Sequence, residues 1–259
     1  MFSNYSKYVF TRVLQKMGLT DLQVQVGTRG RSVIPNPPLI TKWFTTERGR
    51  SKVFADASLR LVIELAKTAT NFWDVGANIG LYSILAREHN PDLKVVSIEA
   101  CTDLYQVLCR NWQVDPQRWI CLHLAVGAEQ GMVQMTRGLE GCDYVLPTAS
   151  SLPSEACESR PMMPLDRIAK LLGEDRIDLL KIDVEGMEFA VLKGASDLLD
   201  AGKIGTIVLE ADEHDARYGT CNAELVAFLA SKKYHLDTTA SVVGLGEANC
   251  QLFRTGAGH

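Results

Sequence analysis

From about residue 53 the chain alternates helix-period and strand-period segments, and no other feature limits its possible folds as much. Leu59, Val62, Ile63 and Ala66 recur at i, i+3, i+4 and i+7, which predicts a helix over 58–68. The short apolar strand "NFWDV" follows, then a helical stretch from Ile79 to Arg87. "LKVVSIEA" (93–100) is a continuous apolar strand, the kind buried on both faces of a parallel sheet. Leu104, Val107 and Leu108 mark the next helix, and "WICLHLAVG" (119–127) reads as a third strand. "GMVQMTR" (131–137) has the look of an added β-hairpin arm, whereas 138–164 shows no clear period and reads as a long functional loop. "IDLLKIDV" (177–184) is a fourth strand, followed by a helix through "EGMEFAVLKGA" that Gly194 would stop. "GTIVLEAD" (205–212) is a fifth strand and 222–231 a further helix, with "YHLDTTA" and "CQLFRTG" as closing strands. This order predicts an α/β fold built on a doubly wound sheet, whose ligands bind beyond the carboxyl ends of the strands. Asp74, Glu99, Ala125, Asp183 and Glu210 occupy such ends in this reading.

Composition narrows the class. A chain of 259 residues can bury a large core, and no apolar run approaches the ~20 residues of a membrane span. Seven cysteines without a C-x-x-C pair, and five histidines without an H-x-x-x-H pair, argue against a disulfide framework or a metal site. Together with an N-terminus, "MFSNYSKYVF", that lacks the pattern of a secretory signal, they predict a cytoplasmic protein. The net charge of −4 disfavours nucleic-acid binding, but the charge is uneven. Residues 1–50 carry eight Lys/Arg against Asp21 and Glu47, a net +6 that leaves −10 on the remainder. Phe2, Val9, Phe10, Val13, Leu14 and Met17 share one helical face there, flanked by Lys7, Arg12 and Lys16. The division expected is a basic extension over 1–51 and a main domain over 52–259. The helix at 1–17 would pack on the acidic body, or serve as a peripheral membrane or oligomer contact. "GTRGRSVIPNPP" (27–38) reads as a turn-rich link.

The stretch "FWDVGANIG" is a strand, a glycine turn and a helix start. A dinucleotide site would need G-x-G-x-x-G here, but Asn78 and Leu81 stand at its second and third glycine positions. Asp74 at the mouth of the turn would also repel a diphosphate. A cationic cofactor without phosphate removes both conflicts, and S-adenosylmethionine is such a molecule. Asp74 would receive its ammonium, and the helix after Gly80 would favour its carboxylate. Gly76 and Gly80 would allow positive φ and close backbone approach. Glu99 follows Gly80 by nineteen residues at the end of the next strand, where a carboxylate can accept hydrogen bonds from both ribose hydroxyls.

In "LLKIDVEGMEF", strand alternation would bring Lys181, Asp183 and Glu185 to one side. A lysine and two carboxylates entering an apolar sheet are costly unless paired or functional. Lys181 is expected as a buried ion-pair partner. Asp183 and Glu185 are candidates for the reaction itself, or for capping the next helix. His123 reads as a hydrogen-bonded core residue and His214 as a surface-loop residue.

The blocks "FWDVGANIGLYSILA", "VVSIEA", "LHLAVG", "PLDRIAKLL" and "IDLLKIDVEGMEFAVLKGA", in that order, resemble the FkbM family of methyltransferases over roughly residues 70–212. The resemblance implies a class I (Rossmann-like) methyltransferase fold, a seven-stranded mostly parallel sheet with one antiparallel strand near its edge. It implies S-adenosyl-L-methionine as cofactor and methylation of a hydroxyl on a sugar, glycolipid or natural product. By motif, Asp74, Gly76, Ala77, Asn78 and Gly80 would line the methionine end. Glu99 would hold the ribose, Ala125 would border the adenine, and Asp183 and Glu185 would lie near the transferred methyl. At Ala100–Cys101 the chain lacks the proline common after the acid, which would loosen that loop. The alternatives are a catalytically silent S-adenosylmethionine-binding protein of the same fold and, with less support, an NAD-dependent oxidoreductase.

Overall fold

The structure is a computed structural model that describes residues 24–26, 31–33, 57–113, 116–138, 143–147, 153, 156–211, 217–238, 242–243 and 249–255. It opens with strands β1 (Val24–Val26) and β2 (Arg31–Val33), an antiparallel pair that includes part of the expected turn-rich link. Helix α1 (Ala57–Ala66), β3 (Asn71–Val75), α2 (Leu81–His89), β4 (Lys94–Ile98), α3 (Thr102–Gln113) and β5 (Trp119–Leu122) follow. Three short strands come next, β6 (Ala125–Val126), β7 (Gly131–Thr136) and β8 (Cys157–Met163), then α4 (Leu165–Leu172). The chain continues through β9 (Ile177–Ile182), α5 (Glu188–Lys193), α6 (Ser196–Asp200), β10 (Ile204–Ala211) and α7 (Asn222–Ser231). It ends in β11 (Tyr234–Leu236), β12 (Val242–Val243) and β13 (Asn249–Thr255). The helix expected over the first 17 residues lies outside the described residues.

The main sheet has the order β11-β13-β10-β9-β3-β4-β5, with β12 attached to β13. Pairings β10–β9, β9–β3, β3–β4 and β4–β5 are parallel, while β13 runs antiparallel to both β10 and β11. Its seven-strand path is the one expected, with its one reversed strand next to the edge, and β12 makes an eighth strand. Because successive strand residues point to opposite faces, each central strand feeds two cores. Phe72, Leu179, Val208 and Leu252 pack with the apolar stripes of α1, α2 and α3. Trp73, Leu180, Ile207, Leu209 and Phe253 pack on the other side with α4, α5, α6 and α7. The sheet is therefore wound on both faces, and its central strands read as unbroken apolar runs for that reason.

Three sequence expectations are corrected. The strand expected over 119–127 is two strands in two sheets. β5 closes the main sheet, and after His123–Leu124 the chain bends so that β6 enters a second sheet of order β6-β8-β7. The arm at β7 pairs antiparallel with β8, so a good part of the expected loop 138–164 is strand. β8 escaped notice because its one fully inward residue is Arg160, which gives no apolar period. Helix α4 is also unmarked by the pattern above, although Leu165, Ile168 and Ala169 are buried at helical spacing and Gly173 ends it in the left-handed region.

Leu180 is fully buried in the second core, on the strand that joins the two halves of the sheet. Leu180→Ala is expected to lower the unfolding free energy by about 2–5 kcal/mol in urea titrations.

Candidate active site

β3 runs out at Val75, and the following turn is fixed from two directions. The amides of Gly76 and Ala77 both donate to the Ile98 carbonyl at the end of β4, at 2.9 and 3.0 Å. Asp183 N–H donates to the Val75 carbonyl at 3.1 Å from the end of β9. Gly76 has φ +75°, and a Cβ there would fall 1.7 Å from the Asp183 carbonyl oxygen. No side chain can occupy that space, so the glycine is required by the approach of β9. Asn78, at φ 53°, uses its Oδ1 to accept its neighbour Ile79 N–H at 2.9 Å. Gly80 caps α2 from the left-handed region.

Glu99 follows β4 directly and is 7% exposed. Its Oε2 accepts the Asn78 amide at 2.7 Å and its Oε1 the Cys101 amide at 2.8 Å. The loop at Ala100–Cys101 is thus tied to the Glu99 carboxylate through the Cys101 amide. Burial pushes the Glu99 carboxyl up to about 7, against the two amides and Lys181, with Asp183 adding to the rise.

Lys181 is the register partner of Asp74 on the neighbouring strand and is 5% exposed. Its ammonium donates to Asp183 Oδ2 at 3.0 Å and to the Gly76 carbonyl at 2.9 Å, with Asp74 Oδ1 at 3.4 Å. It also lies over the Tyr82 ring, 4.8 Å from the centroid. Burial alone would lower its pKa, but the charges of Asp183 and Asp74 prevail and raise it. Lys181 is a charged ion-pair partner, as expected from the sequence.

One cavity opens over these strand ends, lined by Gly76, Asn78, Glu99, Ala125, Asp183 and Glu185 among the expected residues. The structure does not bring Asp74, Ala77 or Gly80 to its wall. Asp74 sits inside β3, one residue short of the mouth, and is fully buried. Its Oδ2 accepts the Ser83 hydroxyl at 2.7 Å, Ser83 meets Ser97 at 2.7 Å, and Trp119 Nε1 donates to Ser97 at 2.8 Å. Ala77 packs in the first core. Glu210 lies within β10, away from the cavity. His214 lies outside the described residues. His123 is not among the described lining residues: it stacks on Tyr105 with 4.3 Å between centroids, and its Nδ1 lies 3.4 Å from Arg160 Nη1. Burial and Arg160 lower its pKa.

Strand alternation does not deliver Glu185. β9 ends at Ile182, and Glu185 reaches the cavity through a left-handed turn, φ 56°, followed by Gly186 at φ 103°. Neither Asp183 nor Glu185 caps the next helix; buried Glu188 accepts the Val184 amide at 2.9 Å instead.

Part of the long loop expected over 138–164 is a strap across the cavity, whose residues and anchors the sequence reading did not name. Asp143, Tyr144 and Val145 line the cavity. The strap is bonded to β7 through Thr136 N–H to the Tyr144 carbonyl (2.9 Å) and Leu146 N–H to the Gln134 carbonyl (2.7 Å). From the other rim the Arg217 guanidinium stacks on the Tyr144 ring at 3.7 Å and donates to the Glu185 carbonyl at 3.1 Å. Tyr218 OH donates to the Val145 carbonyl at 2.5 Å. These partners are about 73 residues apart in sequence, and no local period marks either. Four carboxylates line the cavity, and no lysine, arginine or histidine is among its described lining residues. Among the described residues, no group of three His, Cys, Asp or Glu is placed to hold a metal ion, and no helix is long and apolar enough to cross a membrane.

The strand order, with its reversed strand beside the edge, defines a class I methyltransferase fold. Residues 74–236 match the Methyltransferase FkbM domain, and the chain belongs to that family of S-adenosylmethionine-dependent methyltransferases. Methyltransferase sdnD of Sordaria araneosa is 30% identical over 154 residues, 48% of this chain and 60% of that protein. The AMB antimetabolite synthetase AmbE of Pseudomonas aeruginosa is 28% identical over 226 residues, 71% of this chain and 10% of that protein. The chain thus spans less than two thirds of the length of either relative. Among solved structures, M. capricolum TrmK in complex with S-adenosyl-homocysteine is similar at a TM-score of 0.47 and 12% identity, covering 76% of this chain and 67% of that one.

Removing the Lys181 ammonium strands two carboxylates. Lys181→Met is expected to cost about 3–5 kcal/mol of stability in chemical denaturation. Adding Asp74→Asn should recover part of that loss, a coupling that a double-mutant cycle reads directly.

Proposed function

We propose that the protein is an S-adenosylmethionine-dependent O-methyltransferase acting on a hydroxyl of a sugar, glycolipid or natural product. The observation that carries this reading is the cavity's charge: four carboxylates and no basic group among its described lining residues suit a cationic, phosphate-free ligand and oppose a dinucleotide. The residues present fit that ligand. Glu99 is held by two amides in an orientation that leaves lone pairs for ribose hydroxyls. Gly76 and Asn78 line the cavity where the methionine end is proposed to lie, and Ala125 with Leu104 and Val126 offers apolar surface for the base. Asp74 acts behind the wall, by fixing Lys181 and the turn.

Bound S-adenosylmethionine supplies an activated methyl group. The chain's own task is to hold the acceptor hydroxyl and remove its proton. Asp183 is the base: its carboxylate faces the cavity, is 31% exposed, and is oriented by Lys181 at 3.0 Å. General-base assistance of this kind contributes roughly 10²–10⁴-fold. Glu185 orients the acceptor from the adjacent turn, and the Tyr144 strap shields the reacting end from water. Residues 1–51, with their excess of positive charge, serve acceptor recognition, by contact with an anionic acceptor or a membrane surface through residues 1–17.

Asp183→Asn is expected to keep S-adenosylhomocysteine affinity within about threefold while losing at least about 10²-fold in turnover. A labelled-methyl assay over a panel of glycans, glycolipids and polyketide-type alcohols reads both the acceptor and the loss. Full turnover in the variant would remove the base assignment.

Glu99 gives a pH signature. Its folded value near 7 lies above the ordinary 4.5, so the folded protein holds an extra proton between those limits. Its contribution to stability is therefore full below about pH 4.5 and is lost as pH rises through 7. Ligand binding runs the other way, since ribose hydroxyls donate to the ionised form. S-adenosylhomocysteine affinity by calorimetry should rise up to about tenfold per pH unit below 7 and level off above it. Glu99→Gln should bind more weakly at pH 8 and show a flat profile.

A further inference from the structure

We infer that Asp143 reads the exocyclic amine of the cofactor's purine, an inference that rests on the S-adenosylmethionine reading above. Asp143 lies on the strap and lines the same cavity as Glu99. Its carboxylate is held by two donors: Cys101 Sγ–H to Oδ2 at 3.5 Å and Thr136 Oγ1–H to Oδ1 at 3.2 Å. The same Cys101 gives its backbone amide to Glu99 Oε1 at 2.8 Å. One residue therefore connects the two carboxylates, so if Glu99 holds the ribose, Asp143 is tied to the segment beside it. The cavity lining also includes the apolar residues Ala100, Leu104, Ala125, Val126 and Met135.

A purine has two apolar faces and a polar edge, and a lining that combines apolar side chains with the Asp143 carboxylate suits both. A carboxylate only accepts hydrogen bonds, so at that edge it favours an amino group and opposes a carbonyl. Its capacity of about four acceptor sites allows an amine to join the donors that position it. The Cys101 thiol is a steady donor, because burial pushes its pKa up to about 12. Thr136 is itself fixed, its Oγ1 accepting the Tyr144 amide at 2.9 Å. The strap and the base-reading group are thus one unit: Asp143 is aimed by β7 and by the turn after β4 together.

A purely structural role, in which Asp143 only ties the strap to Cys101 and Thr136, predicts no base preference. The test is calorimetry on the full chain with S-adenosylhomocysteine and its 6-oxo analogue, S-inosylhomocysteine. The wild type should prefer the amino form by about ten- to hundredfold, the range for a hydrogen bond to a charged group. In Asp143→Asn the new amide can donate to a 6-oxo group, so the ratio should fall to about one or invert. Equal wild-type affinity for the two ligands would overturn the inference without any variant being needed. So would an Asp143→Asn protein that weakens both ligands alike and keeps the wild-type ratio. A wild type that binds neither ligand would remove the cofactor reading, and this inference would fall with it.

Discussion

The site depends on one buried ammonium. Lys181 reaches across from β9 to Asp74 on β3, to Asp183 beyond the strand end and to the carbonyl of Gly76 in the turn. Two central strands and the glycine turn are joined by a single side chain that is 5% exposed. An isolated charge at such a depth would be unfavourable by several kcal/mol, and here two carboxylates and an acceptor offset that cost. The arrangement also explains why Asp74 sits behind the wall. Its carboxylate is already engaged by Lys181 and Ser83, and the Ser83–Ser97–Trp119 chain carries the polar network across to β5.

The second sheet gives the cavity its outer half. Because the chain leaves the main sheet after β5, β6 can present Ala125 and Val126 to the cavity while pairing with β8. The adjoining contact with α5 is close: a Cβ on Gly194 would lie 2.1 Å from the Gly127 carbonyl oxygen, so the helix end and the turn after β6 meet backbone to backbone. β7 then carries the strap back over the opening, and Arg217 and Tyr218 hold it from the opposite rim. The wall and the cover come from different parts of the sequence and are joined by the Cys101–Asp143 bond and by Arg217, which meets both Tyr144 and Glu185.

Most of the fold was legible because it is encoded locally. The apolar runs of β3, β4, β9 and β10 and the helical spacing of Leu59, Val62 and Ala66 are signals confined to a few residues, and each became the expected element. Gly76 and Glu99 were legible for a similar reason, as a turn and an acid at fixed spacing after consecutive strands. β8 was not, since its inward position holds Arg160 and its partner Glu158 lies on the same strand. The strap was legible only as part of a long functional loop, since "CDYVL" has no period and its bonds run to Gln134, Thr136 and Tyr218.

The sequence by itself determined the alternation of the main-sheet strands with their helices, the glycine turn after β3, and a carboxylate at the end of the next strand. It also determined that Lys181 would need a partner, because a lysine in an apolar strand cannot remain alone. Which partner it took was decided only by the tertiary structure. The β3–β9 register sets Asp74 opposite Lys181, and that pairing of residues about 107 apart turns the aspartate inward. The same holds for Glu185, brought in by a left-handed turn after β9 ends, and for Asp143, placed by a strap whose anchors lie on other elements. Short-range pattern fixes what a segment becomes. Where its polar side chains go depends on which distant donors and acceptors the packed sheet sets beside them, and on the cost of leaving any of them buried without one.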